Sequence, residues 1–136
     1  QAEDGIRDRS PSRGLGDVYK RQVPTVLPEA SVAEATREIS RGGIGMTVVI
    51  SPQREVLGIF TDGDLRRAIV RNLDLQSLTV ASVMSGKPRL IGPEKLTAEA
   101  VEMMEKHKIN QIPVVDADER LIGALNMHDL FQAKAL

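Results

Sequence analysis

The chain has 136 residues, 18 of them Lys or Arg and 19 Asp or Glu, for a formal net charge of -1. Neither sign is gathered in a block, which argues against the basic face that nucleic-acid phosphates require, and three aromatic residues (Tyr19, Phe60, Phe131) are too few for a single-strand stacking platform. With no cysteine, no apolar run near the roughly 18 residues of a membrane span and no signal-peptide core, the expectation is a soluble, cytoplasmic α/β domain without disulfides or thiolate metal sites.

Residues 1–22 lack hydrophobic periodicity, are rich in Arg, Asp, Gly and Ser, and start with Gln in place of Met. They are expected to be a disordered or non-native tail on a chain cut from something larger. From residue 23 the pattern changes. Pro24–Leu27 reads as a short extended piece, and Ser31 with Glu34 forms an S-x-x-E capping box. Val32, Ala35, Thr36 and Ile39 then mark one apolar helix face that ends near Gly42 and Gly43. Thr47–Ile50 and Val56–Phe60 read as adjacent strands around a Ser51–Glu55 turn. Thr61 and Asp62 are placed to cap a helix from about Gly63 to Arg71. After a linker over 72–87, in which Leu78–Met84 could make one helical turn before the turn Ser85–Pro88, the order returns. Arg89–Ile91 is extended, Thr97, Ala100, Val101 and Met104 share a helix face, Ile112–Val115 and Leu121–Leu125 are strands, and a last helix runs from about Met127 to Ala135.

The second half repeats the first. Residues 28–68 align with 93–133 without a gap at an offset of 65, and 11 of the 41 positions are identical, among them Gly58/Gly123, Asp64/Asp129 and Leu65/Leu130. Each β-α-β-β-α unit is too small to bury its own apolar face, so the two units (23–71 and 88–136) should close on each other about a pseudo-twofold axis and leave clefts between them.

The string Gly58-Ile59-Phe60-Thr61-Asp62-Gly63-Asp64-Leu65-Arg66-Arg67 passes directly from strand to helix. Free amides and the positive end of the helix dipole would suit an anion there, Asp64 could accept two hydrogen bonds from a sugar diol, and Arg66 or Arg67 could add a charge-assisted contact. The same string also reads as plain structure: ordinary caps, an acid that suits the dipole, and two solvated arginines. In repeat two Asn126 stands for Thr61, and Phe131 and Gln132 for the arginines, so two clefts of unequal chemistry are expected.

The duplicated unit, with G-h-x-[ST]-x-x-D closing repeat one, resembles a pair of CBS domains over about residues 23–135. More narrowly, Gly45-Met46-Thr47, GIFTDGDLRR, Val80–Met84 and Met127-His128-Asp129-Leu130 resemble the regulatory part of bacterial D-arabinose 5-phosphate isomerases. The resemblance implies a mixed α/β fold of two tandem CBS repeats and no catalytic residue in this chain, the isomerisation belonging to an upstream sugar-isomerase domain. It also implies pairing into a homodimer and no required cofactor. The effector it suggests is CMP-Kdo, the activated end product of the pathway, which combines a ribose diol, a phosphate and a carboxylate. An adenine nucleotide (AMP or ATP) and a ligand-free dimerisation scaffold are the alternatives. The candidate ligand-binding residues are Thr47, Thr61, Asp62, Asp64, Arg66, Arg67, Lys87, Arg89, Gln111, Asn126, His128 and Asp129. Asn126 departs from the hydroxyl of the general motif, which weakens the second ribose-type site.

Other motifs carry less. His107 and His128 are 21 residues apart in sequence and read better as a helix-end cation and a cleft residue than as metal ligands. Asp62-Gly63-Asp64 lacks the remaining positions of a calcium loop, and Gly86-Lys87 lacks the upstream glycine spacing of a P-loop. Glu94 and Glu99 read as helix-start charges, and Met103, Met104 and Met127 as core filling. No nucleophile-base-orienter set is apparent.

Overall fold

The computed structural model describes residues 22–95 and 97–132. All but the last residue of the expected tail, and the end of the last expected helix, lie outside them. Repeat one contributes β1 (Thr25–Val26), α1 (Val32–Gly42), β2 (Met46–Ile50), β3 (Val56–Thr61) and α2 (Asp62–Val70). A single 3-10 turn, Val80–Ser82, interrupts the inter-repeat segment. Repeat two contributes α3 (Thr97–His107), β4 (Gln111–Val115), β5 (Leu121–Asn126) and α4 (Met127–Gln132). The sheet of repeat one has the order β1-β2-β3, with β1 parallel to β2, and that of repeat two is the antiparallel pair β4-β5.

The duplication extends to the strand register. Met46 pairs with Thr61 as Gln111 pairs with Asn126, and both ladders shift register at the same place, Val49/Ile50 and Val114/Val115. Glu55 and Arg120 occupy equivalent positions and bridge to each other. Around them the Val56 amide donates to Glu119 O at 3.3 Å and the Leu121 amide to Arg54 O at 2.8 Å. These bonds are reciprocal under the offset, so the pseudo-twofold axis passes between Glu55 and Arg120. The turn residues Arg54 and Glu119 both have positive φ, 70° and 62°.

The repeats differ at their first strand. In repeat one the Val48 amide donates to Pro24 O at 3.0 Å. The equivalent of Val48 is Pro113, which has no N–H to give. The expected extended piece Arg89–Ile91 is therefore reduced to one parallel bridge, Ile91 with Val114.

Three apolar clusters result among the described residues. Val32, Ala35 and Ile39 of α1 pack with Val49, Phe60 and Val80 in repeat one. Ala100 and Met104 of α3 pack with Ile112, Val114, Leu125 and Leu130 in repeat two. The third joins the repeats: Met46, Val48 and Ile50 on the other face of β2 meet Leu121 and Ala124 of β5. Strand β2 is thus buried along its whole length, which is why its run lacks the alternation of a one-sided strand.

Only half of the expected capping box forms on α1. Ser31 Oγ accepts from the Glu34 amide at 3.0 Å, but Glu34 returns no bond. The amides of Val32 and Ala33 donate to Leu78 O and Leu75 O, at 3.0 and 2.9 Å, so the inter-repeat segment closes this helix end. Ser31→Ala is expected to cost about 1 kcal/mol, read as a lower urea midpoint at unchanged slope. At the other end Gly43 is the cap with φ 72°, the left-handed conformation that glycine adopts without strain.

Candidate functional site

The N-terminus of α2 is the most fully built polar cluster among the described residues. Thr61 is its N-cap, and Asp62, expected to share the cap, is the first helical residue. The Asp62 amide donates to Gly45 O at 3.1 Å. Thr61 Oγ1 accepts from the Asp64 amide at 3.2 Å, and Asp64 Oδ2 accepts from the Thr61 amide at 3.0 Å and from its hydroxyl at 3.1 Å. Asp64 Oδ1 accepts from Arg67 Nη2 at 2.5 Å. The Ser85 hydroxyl, on the inter-repeat segment, lies 3.3 and 3.4 Å from the two carboxylate oxygens.

Asp64 therefore has a side chain only 5% exposed, against 68% for its partner Arg67. A carboxylate accepts about four hydrogen bonds, and this one is filled by protein donors. It is preorganised: its orientation is fixed by the cap, and its negative charge is balanced by Arg67 and the helix dipole. Both readings of the string meet here, since the capping acid is also an anion held at the edge of a cleft. Of the amides expected to be free for an anion at this junction, those of Asp62 and Asp64 are already bonded.

Gly58 explains why Ser85 is so close. Ile59 and Ser85 exchange backbone hydrogen bonds at 3.0 and 2.8 Å, and a Cβ on Gly58 would stand 2.6 Å from Met84 Sδ and 2.7 Å from Ser85 O. Only glycine lets the inter-repeat segment lie against β3 and bring Ser85 to Asp64.

On the side of repeat two, Gln111 Nε2 donates to Gly45 O at 3.2 Å. A Cβ on Gly45 would meet that nitrogen at 3.2 Å and Asp62 Oδ2 at 3.3 Å. Gln111 and Asp62 thus flank one glycine, and the second repeat reaches the first at the foot of α2. Arg66 and Lys87 are exposed and carry no ion pair among the described residues. Arg89 is exposed near the C-terminal end of α3. Desolvation first, then the charges of Arg89 and Lys106, hold the pKa of His107 below the usual imidazole value. Thr47 is fully buried, and its hydroxyl has no hydrogen-bond partner.

In repeat two Asn126 Oδ1 accepts from the His128 amide at 2.8 Å, one residue nearer than the bond Thr61 accepts in repeat one. His128 is exposed, and Asp129 lies on α4 with its side chain outside the description. Sequence reasoning missed Ser85 and the role of Gly58 in placing it. The serine lies 21 residues after Asp64 and carries no local signal.

The CBS domain family matches residues 15–71 and again residues 80–136. The chain is 48% identical over 111 residues to arabinose 5-phosphate isomerase KdsD of Pseudomonas aeruginosa, covering 82% of this chain and 34% of that protein. It is 38% identical over 112 residues to its namesake in Escherichia coli K12, again over 34% of the relative. The chain thus spans about a third of the length of these relatives. Among solved structures, a CBS domain pair in complex with 5′-methylthioadenosine and S-adenosyl-L-methionine superposes with TM-score 0.81 at 20% identity, over 91% of this chain and 97% of that one. A CBS domain protein from Pyrobaculum aerophilum complexed with AMP gives 0.79 at 22% identity, over 86% and 89%. At these identities the structural likeness speaks for the fold.

Proposed function

The chain belongs to the CBS domain family, and from that footing we propose that it is the regulatory pair of an arabinose 5-phosphate isomerase and binds a nucleotide-type effector at Asp64. The buried, preorganised Asp64 carboxylate at the start of α2 carries this reading. It is an acceptor pair matched to a vicinal diol, with Arg67 beside it for a phosphate and Gln111 close by from the other repeat. Catalysis would belong to the rest of the parent protein, and the chain would act by binding one global state of that enzyme better than another.

CMP-Kdo is the effector we favour, since the resemblance to arabinose 5-phosphate isomerases implies a pathway that leads to Kdo and lipopolysaccharide, and a cytoplasmic feedback loop would sense its activated end product. A second reading, an adenine-nucleotide sensor, is supported by the AMP and adenosyl ligands of the structural neighbours. The end of α2 leaves Ile69 and Val70 exposed, which suits pairing with a second copy, and a ligand-free scaffold would use that surface alone. Isothermal titration of the chain with CMP-Kdo, CMP, AMP and ATP decides among them. Saturable binding of CMP-Kdo alone is expected. Preference for AMP or ATP would move the reading to energy sensing, and silence from all four would leave the scaffold.

A further inference from the structure

The face of α2 that carries Asp64 continues through Arg67 to Arg71 and looks across a groove of about 160 Å³ at Ser82 and Met84 of the inter-repeat segment. The two guanidinium groups are four residues apart, so they lie on one side of the helix with like charges adjacent, which disfavours an isolated helix by a few tenths of a kcal/mol. Arg67 is held by Asp64. Arg71 is exposed and has no ion pair among the described residues. The floor between them is apolar, through Ala68 and Met84, which strengthens any charge pair formed above it. From Asp64 to Arg71 the helix rises about 10 Å, within which two arginine side chains can meet a group one sugar away from the carboxylate.

We propose that this groove is the phosphate subsite of the effector, lined by Arg71, and that Arg67 exchanges partners on binding. Asp64 is saturated in the free chain, so a diol can reach it only by displacing a donor. Arg67 and Ser85 are the exposed donors of the set, and the backbone of Ser85 is tied to Ile59; Arg67, on its long flexible side chain, leaves the carboxylate to the diol and turns to the phosphate. One ion pair is replaced by another, and the desolvated carboxylate is never left unpaired. This rests on the reading that Asp64 holds a diol, and it adds the groove, Arg71 and the exchange.

The test compares nucleotides with nucleosides. AMP, CMP and CMP-Kdo are titrated beside adenosine and cytidine into the unaltered chain, Arg71→Glu and Arg67→Ala, with thermal melting to report folding. Arg71→Glu should weaken the binding nucleotide at least tenfold and leave its nucleoside unchanged. Arg67→Ala should weaken the nucleotide but leave the nucleoside as tight or tighter, because a competitor for Asp64 is gone. Nucleotide and nucleoside weakened equally, or neither weakened, overturns the groove while Asp64 stands. No binding of any of the five to the unaltered chain overturns the Asp64 reading and the groove with it.

Discussion

With Asp64 replaced by alanine, nucleotide binding is expected to fall about 100-fold while the chain still folds. Two hydrogen bonds from a diol to a carboxylate are charge-assisted, and losing them is worth about 3 kcal/mol, or two orders of magnitude in Kd. The same change removes the N3 half of the capping box and the partner of Arg67, which costs about 1–2 kcal/mol of stability. The two effects separate through Asp64→Asn. The amide keeps an acceptor for the Thr61 amide but presents a donor where the second carboxylate oxygen stood. Stability should therefore lie nearer the parent, with binding still largely lost. Titration gives the affinity and urea denaturation the stability. If Asp64→Ala binds CMP-Kdo or AMP as tightly as the parent chain does, the site is misplaced.

Why this acid and not another could be suspected from sequence is a matter of local physics. Capping is a contact between residues three apart, so Thr61 and Asp64 announce each other in the string. The repeat order and both paired ladders were legible for the same reason, since β-branched runs, turns and helix faces are local patterns. The reduced strand at Arg89–Ile91 was not anticipated, although the 65-residue offset places Pro113 where Val48 donates. The failures are tertiary. Glu34 does not close its box, and the nearby α1 amides take Leu78 and Leu75 carbonyls, partners that no window around Ser31 contains. Ser85 reaches Asp64 from 21 residues away. Thr47 sits at 0% exposure with an unpartnered hydroxyl, whereas a β-branched run by itself does not say which of its faces is covered.

Gly58→Val is expected to destabilise the chain by about 3 kcal/mol and to weaken effector binding as well. Overpacking commonly costs 1–3 kcal/mol, and less when the struck atoms can give way. Here one of the two nearest atoms is the Ser85 carbonyl, 2.7 Å from the new Cβ, and that carbonyl is tied to the Ile59 amide at 3.0 Å. Met84 could swing aside; the backbone cannot move without breaking the paired hydrogen bonds of Ile59 and Ser85. The inter-repeat segment would then lift from β3 and carry the Ser85 hydroxyl away from Asp64. Gly58→Ala offers the graded case, in which the same Cβ arrives without the branched methyls. The order parent, Ala, Val should appear both in urea midpoints and in effector Kd. A chain that loses stability along this series but keeps its affinity would show that the seating of Ser85 supports the fold alone. A parallel decline would mean that the glycine of the strand-to-helix motif serves the site by letting a second segment close on it.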